Sequence, residues 1–141
     1  MPLRFTLYVI NHMKRQNISS GTKWENMVGY SRAVRLGSFV FVSGTTAVDE
    51  NGDLVGPGDP YAQASFIFKK IEKALNEAGA TLQDVVRTRM YLIKVADWEA
   101  VCKAHSEALR EVRPAATLVE VSALITPEML VEIEVDAIVG A

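Results

Sequence analysis

Val131, Ile133, Val135 and Ala137 alternate one for one with Glu132, Glu134 and Asp136. A strict period of two belongs to a strand and is incompatible with a helical stripe. Such a strand has an apolar face that needs a covering layer. Its other face carries three carboxylates that need water, cations or a partner. Two helical patterns supply the layer. Asp59-Pro60 opens the first, with Asp as N-cap and Pro at the first helical position. Its apolar stripe is Ala64, Ile67, Phe68, Ile71, Leu75 and Ala78, its solvated side holds Lys69, Lys70 and Lys73, and Gly79 ends it. The second begins near Asp97, runs its stripe through Trp98, Val101, Cys102, His105, Leu109 and Val112, and closes before Pro114.

The remaining strands follow from β-rich runs between turn residues. Ala33-Val34-Arg35-Leu36 and Phe39-Val40-Phe41-Val42 flank the turn pair Gly37-Ser38, a hairpin that ends at Ser43-Gly44. Val85 to Ile93 places Val86, Thr88, Met90 and Leu92 on one face and Arg87, Arg89 and Tyr91 on the other. Thr117 to Val121 and Leu130 to Ile138 complete the set. The order is strand, strand, helix, strand, helix, strand, strand. It predicts an α+β fold, a single mixed sheet with two helices on one face. The bare face, neither apolar nor fully charged, predicts self-association.

With 141 residues, about half of them apolar, the chain reads as a loose arm over 1–13 followed by a single domain over 14–141. Met13 is an alternative natural start. The apolar run Phe5 to Ile10 is too short for a signal-peptide core, and nothing reaches the length of a membrane span. A lone cysteine, Cys102, points to a reducing compartment, the cytoplasm. A net charge of −2 with no basic stripe argues against a nucleic-acid partner. Cys102, His105 and the distant His12 do not make a zinc site.

Several stretches in this order resemble the Rid (reactive intermediate deaminase, YjgF-like) family across residues 14 to 139. They are Gly29 to Val34, Phe39 to Gly44, Gly79 to Val86, Pro114-Ala115 ahead of a strand, and Val131 to Glu134. The resemblance implies a chorismate-mutase-like fold and a homotrimer whose three intersubunit clefts bind small metabolites. It implies cofactor-free hydrolysis of enamines and imines derived from amino acids. By resemblance, Tyr30 is the cleft tyrosine, Ser43 and Gly44 line the cleft, and Glu132 handles water. The chain departs from the family at Pro114-Ala115-Ala116, where deaminating members carry Pro-Ala-Arg with the arginine on the substrate carboxylate. Losing a charge-assisted contact of this kind costs ~1.5–3 kcal/mol. Cys102 also stands where typical members have a cleft asparagine.

Arg32 and Arg89 are candidate replacement anchors, Arg32 the better because it lies two residues from Tyr30. The plainer reading pairs Arg32, Arg87 and Arg89 with Glu120, Glu132, Glu134 and Asp136 across an assembly. Glu132 and Glu134, two apart on a strand, are ~6.5–7 Å apart at the backbone, too far for a shared proton. Cys102 and His105 share the core-facing stripe and read as packing rather than as a nucleophile pair. Trp24 either walls an apolar cleft, with Glu25 accepting a hydrogen bond there, or anchors the N-terminal segment on the sheet. The functional readings are a metabolite-binding trimer with deaminase-like hydrolysis, a non-catalytic binding or interaction protein, and, weakest, an endoribonuclease.

Overall fold

The computed structural model describes residues 14–140; the expected arm over 1–13 lies outside the described residues. Six strands form one mixed sheet: β1 (Arg15–Ile18), β2 (Ala33–Leu36), β3 (Phe39–Thr45), β4 (Val85–Leu92), β5 (Ala115–Glu120) and β6 (Val131–Ile138). Their spatial order is β1-β2-β3-β6-β4-β5. All pairs are antiparallel except β4 with β5, which are parallel and joined through a helix. Among the described residues three α-helices accompany the sheet: α1 (Lys23–Val28), α2 (Pro60–Glu77) and α3 (Trp98–Leu109).

The core lies between the sheet and α2 with α3. Val131, Ile133, Val135 and Ala137 are buried, as the alternation on β6 requires, and so are Ala64, Ile67, Phe68, Ile71, Leu75 and Ala78 on α2. Asp59 caps α2 by accepting from the Ala62 amide at 3.0 Å. Gly79, at φ +79°, follows the helix in the left-handed region, and a Cβ there would stand 2.6 Å from an Arg35 guanidinium nitrogen that donates to the Ala78 carbonyl. The buried Gln63 side chain ties three loop positions together: it donates to the Gly56 and Glu128 carbonyls and accepts from the Leu130 amide.

The structure adds two elements and corrects two placements. β1 and α1 precede the hairpin, with Ile18 buried at the end of β1. Val86 leaves the apolar face: a register shift between Val85 and Arg87 buries Val85 and turns Val86 outward. Trp98, placed on the core stripe of the second helix, is half exposed at its start.

Candidate functional site

A second register shift falls between Val42 and Thr45 in the pairing of β3 with β6, so Ser43 and Gly44 sit in an irregularity of the ladder. Such bulges re-aim backbone groups. Here the Gly44 carbonyl turns to accept from Arg32 Nη2 at 2.8 Å, and Ser43 Oγ donates to the Ser31 carbonyl at 2.6 Å. A side chain at position 44 would displace the one that lies opposite. A Cβ on residue 44 would stand 2.7 Å from Glu132 Oε1. The Glu132 carboxylate thus rests against bare backbone.

Tyr30 completes this corner. The Arg32 guanidinium lies 5.8 Å from the centroid of its ring. The two meet across a bend ahead of β2 rather than along a strand. The fold therefore gathers Tyr30, Arg32, Ser43, Gly44 and Glu132 within one chain. Burial pushes the Glu132 carboxyl up, the like charge of Glu134 adds to this, and Arg32 opposes it. Burial lowers Arg32, against the attraction of Tyr30, Glu25 and Glu132. Its Nε is buried without a hydrogen-bond partner. No hydrogen bond or ion pair among the described residues occupies the Glu132 carboxylate. The corner can position a polar small molecule between a cation and a carboxylate able to take a proton.

The other candidates stand elsewhere. Arg89, midway along β4, bonds to Asp136 at 3.1 Å and lies 3.9 Å from Glu134, which also accepts from the Tyr91 hydroxyl at 2.6 Å. Cys102 is half-buried on α3, and burial pushes its thiol up, away from a reactive thiolate. Its neighbour His105 meets Thr88 Oγ1 at 2.9 Å and stacks edge-on against Phe68, with burial pushing the imidazole down. Glu120 accepts from the Val95 amide. Trp24 is half exposed beneath the Lys23 ammonium. Glu25 is buried and accepts from the Ser20 amide and hydroxyl and from Thr22. Burial raises its carboxyl, but the hydrogen bonds from Ser20, Ser19 and Thr22 together outweigh this and leave it lowered.

Ala116 is exposed on the edge strand β5, in register with Thr88 of β4. Three strands separate β5 from β2, so at ~4.8 Å per strand the two are ~19 Å apart. Arg32 cannot fill the place of the missing arginine within its own chain.

Lys70 is a residue that sequence reasoning assigned to the solvated side of α2. It is half-buried, and its ammonium donates to the Thr46 and Val48 carbonyls, both at 2.8 Å. Its stem follows the helix while its head reaches the loop after β3, a reach that helical periodicity does not register.

Comparison with known proteins agrees with this architecture. A Mycobacterium tuberculosis member of the YjgF/YER057c/UK114 family superposes with a TM-score of 0.81 at 47% identity, covering 89% of this chain and 100% of that one. An uncharacterized protein of Streptomyces coelicolor is 41% identical over 127 residues, 89% of this chain and 93% of that protein. The 3-aminoacrylate deaminase RutC of Acinetobacter baylyi is 36% identical over 104 residues, 74% of this chain and 82% of that protein. The family model described as Endoribonuclease L-PSP matches residues 21–139, and the chain accordingly belongs to this family, the YjgF or Rid family.

Proposed function

We propose that this protein is a homotrimer that binds a small enamine or imine at the corner of Tyr30, Arg32, Gly44 and Glu132 and hydrolyses it without a cofactor. The observation that carries this reading is the Glu132 carboxylate, seated against Gly44, pushed up by burial and left without a hydrogen-bond partner among the described residues. A raised carboxylate is a stronger base, suited to a water that must lose a proton. Glu132 accepts that proton as the water oxygen bonds to the imine carbon and passes it to nitrogen, giving a carbinolamine. It then takes the carbinolamine hydroxyl proton and delivers it to nitrogen as the carbon–nitrogen bond breaks, leaving a carbonyl compound and ammonia. Arg32 holds the anionic end of the substrate, and Tyr30 orients it. The name of the RutC relative, a 3-aminoacrylate deaminase, supports the same reaction class.

Assembly follows from the bare sheet face. Phe39 and Phe41 stack there with centroids 6.4 Å apart and planes within 5°, and both are about half exposed. Exposed aromatics beside the Arg89–Asp136 pair are surface that a second copy would cover. In the trimer the β5 edge of one copy closes the corner of the next.

Ala116 favours a second reading, a binding protein without turnover, because it offers the corner no cation. Ammonia release from freshly generated imines separates the two. The hydrolase reading expects release by the unmodified protein, with Ala116→Arg at most improving it. Release by Ala116→Arg alone supports the binding protein.

A further inference from the structure

Beside the corner, on the helix side, lies a groove of about 530 Å³. Its walls are residues 19–22, the loop after β3 at Val48, Asp49 and Glu50, and the face of α2 that carries Phe66, Lys70 and Ala74. This volume falls in the range of small-molecule sites. Arg32 lines it too, so the groove shares this residue with the corner already described.

Two cations face this groove without carboxylate partners. Among the described residues neither Arg32 nor Lys70 has a carboxylate within 4.0 Å. Among the described residues the Arg32 side chain makes one hydrogen bond, to the Gly44 carbonyl, and buries Nε with none. Lys70 gives two of its three ammonium hydrogens to backbone carbonyls, leaving one. Burial, and next the like charge of Arg32, bring Lys70 down to about 8, against the pull of Asp49. Two half-buried cations that repel each other are relieved by an anion between them.

The charge count limits that anion. The lining holds Arg32, Lys69, Lys70 and Lys73 against Asp49, Glu50 and Glu77, with Lys73 and Glu50 paired at 3.1 Å. One positive charge is left over, which suits a monoanion and disfavours a phosphate or polyphosphate. The remaining walls, Val48, Phe66 and Ala74, are apolar.

We infer that the groove is a binding site for a monocarboxylate with an apolar side chain, its carboxylate bridging Arg32 and Lys70 and its side chain lying against Phe66. This rests on the preceding reading for Arg32 as the anchor, and it narrows the substrate to acids with large apolar side chains.

Isothermal titration of the intact protein with phenylpyruvate, pyruvate and inorganic phosphate tests the inference. Phenylpyruvate should bind at least tenfold more tightly than pyruvate, and phosphate should not displace it. Its affinity should fall as pH rises past about 8, where ligand-free Lys70 loses its proton. Lys70→Met should weaken phenylpyruvate about tenfold or more. Phe66→Ala should erase the preference for phenylpyruvate over pyruvate. Equal affinity for the two acids, tighter binding of phosphate, or no effect of pH between 7 and 9 overturns it, and none of these outcomes needs a variant to fold. Ammonia release is independent of all of them. A protein that binds phenylpyruvate in this way without turnover keeps the groove and loses the hydrolase. One that turns over imines without these preferences does the reverse.

Discussion

Glu132 on β6 presses its carboxylate against Gly44 on β3, so close that a Cβ at residue 44 would have to displace it. The contact crosses the irregular stretch of the ladder that also turns the Gly44 carbonyl toward Arg32. One glycine therefore serves both charged groups of the corner.

Gly44→Ala separates site geometry from folding. The added methyl meets the end of a flexible side chain, so Glu132 can swing away at a cost to stability of about 1 kcal/mol or less. The displaced carboxylate no longer meets the water. A thermal transition within a few degrees of the parent, with turnover reduced tenfold or more, is the expected pair of results. A cooperative loss of the fold would mean that the contact is structural.

Stability should respond to Glu132 in the opposite sense to activity. The folded carboxyl is pushed up, so the folded state keeps its proton to higher pH than the unfolded chain does. That contribution is complete below the unfolded value of ~4.3 and disappears as pH rises through the folded one. At neutral pH the ionised Glu132 burdens the fold, and Glu132→Gln should melt higher than the parent. The difference should vanish near pH 4. Chemical denaturation at both pH values checks the crossover.

Arg32 and Arg89 should fail differently. Arg32→Ala should weaken ligand protection against heating by about ten- to a hundredfold in affinity, the cost of ~1.5–3 kcal/mol for a charged contact. Arg89→Ala leaves Asp136 and Glu134 without their cation and should alter melting or assembly while sparing ligand binding. The Arg89 side chain is 37% exposed, so solvent screening keeps this change small. Ligand responses equal to the parent in both variants would remove both arginines as anchors.

Deleting residues 1–13 should leave the thermal transition and the assembly unchanged. Extending the deletion through Ile18 removes β1 and its buried terminal side chain, and should lower the transition clearly. Equal effects of the two deletions would show that the first thirteen residues are structural.

Legibility in the sequence followed the strength of the local signal. β6 and α2 were plain because burial on a single face imposes a period that nothing else imitates. β1 was not, because Arg15-Gln16-Asn17-Ile18 is an edge strand that buries only Ile18, and one buried residue makes no period. The outward turn of Val86 is not legible, because a bulge inserts one residue and flips the alternation behind it. In the site, Tyr30, Ser43, Gly44 and Glu132 were named from family resemblance, and the geometry supplied their contacts. The reach of Lys70 is not legible, because a lysine on a polar helix face looks the same whether its head meets water or carbonyls. The separation of Arg32 from Ala116 needed the strand order, which no local pattern carries.

The most direct test of the account is the rate of ammonia release from a freshly generated imine by the parent protein and by Glu132→Gln, at equal concentration and pH 7.5. The account predicts release proportional to protein for the parent and the buffer rate for Glu132→Gln. A parent protein no faster than buffer, or a Glu132→Gln variant as fast as the parent, contradicts it.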